Sequence, residues 1–189
     1  MVLSTLWQFL YWGWVVSEVG ILFVTRTRRS SGDVRDRGSL AVLWLTIVGS
    51  LTAGIWIGRA HPPNIFAGAS WVQALSVGLL VAGLIVRWAA IFSLGNSFSA
   101  NVAIHSTQTV YKSGLFRFVR HPSYSGLLLI FVSIGLYTLN WLGFALVIVP
   151  CTVALLYRIH VEEAALSAAF GKEYADYCRK TKRLIPAIY

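Results

Sequence analysis

The sequence predicts an all-α, polytopic membrane protein with about five transmembrane helices and a cytoplasmic C-terminal helical tail, and three observations predict it. The 189-residue chain is 57% hydrophobic, 12% charged and of mean hydropathy +0.67, which is too apolar for a water-soluble domain of this size. Its apolar residues gather in blocks near the ~20 residues that a helix needs to cross a bilayer core. Its basic residues fall in the gaps between those blocks.

The first block covers about residues 3–25. It lacks a charged leader and a small-residue cleavage site, and arginines follow it, so it is expected to be retained as a helix. The arginine-rich stretch 26–37 separates it from a second block at about 40–57, and a third spans about 71–94. The fourth, about 124–139, meets the fifth, about 141–157, at Asn140 with almost no connector, which predicts a tight antiparallel hairpin. In the tail, Ala165, Leu166, Ala169 and Phe170 recur at helical spacing. Gly171 is the expected break, a second short helix runs through Tyr174 and Tyr177, and Pro186 is expected to end it. The whole chain, 1–189, is expected to be one domain, with 1–94 a three-helix scaffold and 95–189 the portion that carries chemistry.

The formal charge of +9 and pI near 10.0 do not point to nucleic acid, whose binders need their basic groups on one accessible polar face. Here the charge sets topology. Arg26, Arg28, Arg29, Arg35 and Arg37 follow the first block, Lys112, Arg117 and Arg120 precede the fourth, and Arg158, Lys172, Arg179, Lys180, Lys182 and Arg183 follow the fifth. Fourteen of the sixteen basic residues thus lie on one side. Cytoplasmic loops hold such an excess, so an odd number of crossings puts the N-terminus outside and the C-terminus in the cytoplasm. Cys151 and Cys178 have no metal-ligand or CxxC spacing, and His61, His105 and His160 are isolated, so no metal site is expected.

Inside the spans, Glu18 and Arg87 are costly unless they face the bundle interior, where they can pair with each other. For Glu18 a structural ion pair is the favoured role. For Arg87 that role and the polar lining of a cavity stand level. Ser50, Gly54 and Gly58 repeat every four residues, the pattern of close helix packing. Trp7, Trp12 and Trp14 are expected to form an interfacial belt.

Two constellations suit chemistry better than topology. Arg117, Arg120, His121, Pro122, Ser123, Tyr124 and Gly126 crowd the cytoplasmic mouth of the fourth helix, where proline suits the first turn and free backbone N–H groups can receive an anion. Arg158, Glu162 and Glu163 follow the fifth. Arg158 and Glu162 share a face if the helix continues, while the adjacent carboxylates point in different directions, one able to hold a cationic ligand and the other the scaffold. An arginine there can bind a carboxylate in bidentate fashion.

These residues resemble the integral-membrane methyltransferases of the isoprenylcysteine carboxyl methyltransferase family. The matching run starts near Leu94-Gly95. It continues through Lys112-Ser113-Gly114-Leu115-Phe116, Arg120-His121-Pro122-Ser123-Tyr124-Ser125-Gly126, Asn140-Trp141, Arg158 with Glu162-Glu163, Phe170-Gly171-Lys172-Glu173-Tyr174, Tyr177 and Arg183 to Pro186. The resemblance implies that S-adenosylmethionine binds between the helical bundle and a folded-over tail, while a lipid-like methyl acceptor enters from the membrane. It implies cofactor contacts for Gln108, Thr109, Val110, Tyr111, His121, Pro122, Ser123, Tyr124 and Glu162, and a substrate carboxylate on Arg158. Arg158 and Glu162 are thus the expected catalytic pair. Asn101 matches a polar cofactor position; Phe116 stands where the family usually has tyrosine, which removes a hydroxyl, and Gln108 replaces a common histidine.

Carboxylates, backbone donors and aromatics suit a cationic sulfonium with a zwitterionic amino acid end. A carboxylate acceptor is already a nucleophile, so in-line placement and exclusion of water supply most of the rate. Partners are the acceptor and membrane lipids, with neither nucleic acid nor metal. Two other functions fit the residues: N-methylation of a phospholipid or small lipophilic amine, which does not need Arg158 as a clamp, and a non-catalytic membrane scaffold.

Overall fold

The computed structural model describes residues 2–27, 33–34, 38–65, 70–95, 103–104 and 109–189. Five helices carry the fold: α1 (Val2–Thr27), α2 (Ser39–Ala60), α3 (Ser70–Leu94), α4 (Pro122–Tyr137) and α5 (Trp141–Lys180). Two-residue strands β1 (Asp33–Val34) and β2 (Ala103–Ile104) pair antiparallel, and a 3-10 turn (Gly114–Arg117) precedes α4. By length and composition α2, α3 and α5 can each cross a membrane; α4 is a shorter apolar helix, and α1 has 26 residues.

Each scaffold helix buries one stripe. In α2 it is Ser39, Leu43, Ile47, Ser50, Leu51 and Gly54; in α3 it is Val72, Ser76, Leu80, Gly83, Arg87 and Ala90. Steps of three and four residues place each set on one helical face. α3 packs on α4 and α2 packs on α5, and both pairs close over glycines. A Cβ on Gly126 would lie 2.7 Å from Gly83 O and from the Arg87 nitrogen, and one on Gly54 would lie 2.9 Å from Gly143 O. The Ser50–Gly54–Gly58 stripe therefore works as packing, as its spacing suggests. Ser76 and Ser133 complete the α3–α4 seam, with Ser133 Oγ donating to Ser76 O at 2.7 Å.

The expected aromatic belt on α1 is corrected. Trp12 is exposed, but Trp7 and Trp14 are core residues. Seven residues apart, they share the helix face turned to the bundle, and each indole N–H has an internal acceptor: Ser133 Oγ at 3.0 Å for Trp7 and Glu18 Oε1 at 3.1 Å for Trp14. Between α1 and α2 a cleft of about 820 Å³ remains, walled by Tyr11, Trp12, Trp44, Trp56 and Tyr137, with Glu18 also on its wall.

The two ends of the bundle are tied separately. At one end, Leu139 O accepts from Asn64 N and Ile65 N, and Asn64 Oδ1 accepts from Trp141 N at 2.8 Å. Asn140 caps α5, its Oδ1 accepting from Leu142 N and Gly143 N, and Leu139 turns the chain at φ 52°. This is the expected tight hairpin. At the other end the β1–β2 pair joins the first loop to the segment after α3, while Val119 bridges Lys182 of the tail.

The fifth helix differs most from expectation. It does not stop near residue 157 but continues as one helix to a kink at Gly171 (φ 48°, ψ −119°), and its second limb ends at Lys180, before Pro186. From Trp141 to Phe170 that is ~45 Å of helix against ~30 Å of hydrocarbon core. The helix is therefore longer than a single crossing needs.

Candidate active site

The site forms where the start of α4 meets the emerging part of α5. Pro122 occupies the first turn of α4, and His121 precedes it with its backbone N–H donating to Arg183 O at 3.0 Å. His121 O accepts from Tyr124 N and Ser125 N. Since proline has no N–H, this leaves Ser123 N as the single open donor among the described residues of that first turn. The expected row of free N–H groups is thus reduced to one.

Tyr124 is the hub. Its hydroxyl donates to Glu162 Oε2 at 2.8 Å and accepts from Arg158 Nε at 3.4 Å. Its ring stacks on His121, with centroids 5.6 Å apart. Arg158 is buried and also donates through Nη1 to Ser39 Oγ at 2.5 Å, so the first residue of α2 helps to fix the guanidinium.

The two adjacent glutamates divide as their positions on α5 require. Glu163 holds the scaffold: its Oε1 accepts from Arg120 Nε at 2.9 Å and its Oε2 from Arg183 Nε at 2.9 Å. His121 Nε2 lies 3.4 Å from the same carboxylate. Burial pushes the Glu163 carboxyl up, but donation from His121, Arg120 and Arg183 outweighs this and holds it at about 2. Glu162 is the more exposed of the two, 26% against 13%, with His121 Nδ1 at 3.9 Å. Of the two carboxylates it is the one that solvent reaches more readily.

The segment after Thr109 packs on the C-terminal tail. Thr109 and Tyr111 are exposed and Val110 is half-buried. Tyr111 meets Phe116 edge-on, with centroids 5.3 Å apart. Phe116 is buried, and its carbonyl accepts from Tyr177 of the second α5 limb at 2.6 Å. Lys112 pairs with Glu173 at 2.6 Å, and Arg120 also donates to Thr181 O at 2.5 Å. Asn101 and Gln108 lie outside the described residues. Ser123 faces the other way, its Oγ accepting from Arg87 Nη1 at 2.7 Å inside the bundle.

The structure thus brings His121, Tyr124, Arg158 and Glu162 together and sets Tyr111 against Phe116. Ser39 was not expected; its only sequence signal is a hydroxyl at the start of an apolar block. Arg120 and Arg183 appear in the motif, but their convergence on Glu163 is visible only in three dimensions.

Residues 76–168 match the family model described as the isoprenylcysteine carboxyl methyltransferase (ICMT) family. This stretch, just under half of the chain, is similar to the isoprenylcysteine carboxyl methyltransferase family. The matched stretch takes in α4 and the His121, Tyr124, Arg158, Glu162 and Glu163 cluster. Among similar proteins, the protein-S-isoprenylcysteine O-methyltransferase of Mus musculus is 32% identical over 123 residues, which is 63% of this chain and 43% of that protein. Protein-S-isoprenylcysteine O-methyltransferase B of Arabidopsis thaliana is 27% identical over 120 residues, 62% of this chain and 61% of that protein. The Schizosaccharomyces pombe protein-S-isoprenylcysteine O-methyltransferase is 30% identical over 118 residues, 61% of this chain and 50% of that protein. The chain therefore spans less than two thirds of the length of these relatives of the isoprenylcysteine methyltransferase family.

Proposed function

We propose that this protein is an S-adenosylmethionine-dependent methyltransferase acting on the carboxylate of an isoprenylcysteine or a similar lipid-like acid at the cytoplasmic face of a membrane. The observation that carries the reading is the contact between Tyr124, Arg158 and Glu162, which sets a fixed guanidinium beside a partly exposed carboxylate. The names of the relatives point to the same acceptor class.

S-adenosylmethionine supplies, when bound, an electrophilic methyl group on a cationic sulfur. The residues present fit such a ligand: Glu162 offers negative charge, the His121–Tyr124 pair an aromatic wall, and Ser123 N one backbone donor. Thr109, Val110 and Tyr111 line the approach, and Asn101, Gln108 and the Phe116 ring complete the proposed cofactor set with Pro122. Arg158 binds and orients the acceptor carboxylate, whose oxygen is already nucleophilic, so no residue need accept a proton. Its charge also compensates that of the acceptor where the membrane meets water. Positioning and exclusion of water by the tail then carry the rate.

The apolar chain of the acceptor has a place in the α1–α2 cleft, whose wall residue Glu18 is linked through Arg87 to Ser123 at the start of α4. On this reading α1 to α3 (1–94) are the scaffold, which also walls the acceptor's apolar chain, and 95–189 is the cofactor and catalytic portion. The excess of lysine and arginine in the loops supports a topology with the N-terminus outside and the C-terminus in the cytoplasm.

Calorimetric titration of the protein in nanodiscs with S-adenosylhomocysteine tests the reading. One-site binding, lost in His121→Ala and Glu162→Ala, is expected; a folded protein that does not bind removes the methyl-donor claim. Labelled donor with lipid extracts then separates a base-labile ester from a stable amine product.

A further inference from the structure

Beneath the site, Arg87 is a basic residue to which the proposed chemistry gives no ligand, and it is deeply buried on α3. Its guanidinium has two partners on two other helices. One edge forms a bidentate pair with Glu18 of α1, with Nη2 to Oε2 at 2.6 Å and Nε to Oε1. The other reaches the start of α4, where Nη1 donates to Ser123 Oγ at 2.7 Å and to Ser123 O at 3.4 Å. Trp14 Nε1 donates to Glu18 Oε1 at 3.1 Å, which fixes the carboxylate in turn.

If this were only a helix clip, the second edge of the guanidinium would not need to reach an adjacent turn of backbone. Ser123 lies between Pro122 and Tyr124, so any shift of its backbone moves the Tyr124 hydroxyl that contacts both Glu162 and Arg158. The planar fork of arginine holds two partners in one rigid geometry, which a lysine cannot do. The α3–α4 approach is so close that a Cβ added to Gly126 would lie 2.7 Å from the Arg87 backbone nitrogen, which leaves little slack for the anchor to move.

We infer that Arg87, clamped by Glu18, is a positioning residue that sets the His121–Tyr124 turn from within the membrane bundle. It acts on ligand affinity through Ser123 and touches no ligand itself. The inference rests on the reading above that this turn holds the methyl donor.

The test replaces the pair with apolar residues, Glu18→Leu with Arg87→Met. Removing a buried ion pair together is often neutral for stability, whereas removing one partner is costly. The double variant is therefore expected to melt within a few degrees of the parent, yet to bind S-adenosylhomocysteine about tenfold more weakly. The amides from Ser123 to Gly126 should exchange faster, and adding Ser123→Ala should cost nothing further. A double variant with parental affinity and parental exchange overturns the inference. If the double variant does not fold, Arg87→Lys, which keeps the charge and the Glu18 pair, takes its place: weakened binding supports the role, and parental binding overturns it. Should the parent itself bind no S-adenosylhomocysteine, the methyl-donor reading fails, and the exchange rates alone decide whether Arg87 anchors the turn.

Discussion

Glu162 and Glu163 are neighbours in sequence that hold opposite sides of the site: Glu163 receives Arg120 and Arg183, and Glu162 receives Tyr124. About 100° of helix rotation separates them. The same dipeptide thereby ties the C-terminal tail to the start of α4 and presents a carboxylate to solvent.

Glu163 should make stability depend on acid. Its folded carboxyl titrates at about 2 against an ordinary 4.5. A depressed folded value means that the stabilisation is fully present above 4.5 and is lost as pH falls from 4.5 towards 2, on the order of 3 kcal/mol in all. Glu163→Gln should lower the melting temperature at pH 7 and flatten its fall between pH 4.5 and 3. Thermal melts across that range check it; a variant with the parental slope would show that another carboxylate carries the acid response.

Tyr124→Phe deletes the hydroxyl that joins Arg158 and Glu162 while keeping the ring on His121. A loss of about 1 kcal/mol, or roughly fivefold, in S-adenosylhomocysteine affinity is expected with little change in melting temperature. Calorimetry reads it directly.

Arg158→Ala should abolish transfer to a carboxylate acceptor while leaving S-adenosylhomocysteine binding within a few-fold of the parent. Unimpaired turnover in this variant would remove Arg158 from the acceptor site.

Gly126→Ala puts a methyl group 2.7 Å from Gly83 O and from the Arg87 nitrogen, with backbone on both sides and nothing flexible to yield. Overpacking of this kind costs about 1–3 kcal/mol. Gly13→Ala, which meets nothing within 4 Å, is the control and should leave the melting temperature unchanged or slightly raised.

Much of this architecture is legible in the sequence because it depends on local rules. Apolar block lengths mark the helices, Asn140 marks the hairpin, and arginine placement groups the loops that β1–β2 and the Val119–Lys182 bridge join. The motif around His121 to Tyr124 and the Arg158–Glu162 spacing mark the site. What is hidden depends on distant partners. Hydropathy treats Trp7 and Trp14 as belt residues because it cannot see Ser133 or Glu18. Ser39 and Arg158 are 119 residues apart, and the inward turn of Ser123 depends on a guanidinium from another helix. Charged residues after Tyr157 suggest a helix end, yet α5 continues because its side chains there are matched by Tyr124, Arg120 and Arg183.

The unbroken run of α5 from Trp141 to Phe170 also sets a phase relation. A rigid rod transmits rotation along its length, so the azimuth of Arg158 and Glu162 is fixed by how Gly143, Val147 and Cys151 seat in the bundle. One residue inserted between Cys151 and Arg158 would turn the distal half by about 100°, carrying both side chains off Tyr124 while leaving every helix in place. The residue count along α5 between Cys151 and Arg158 is therefore locked by the site it carries.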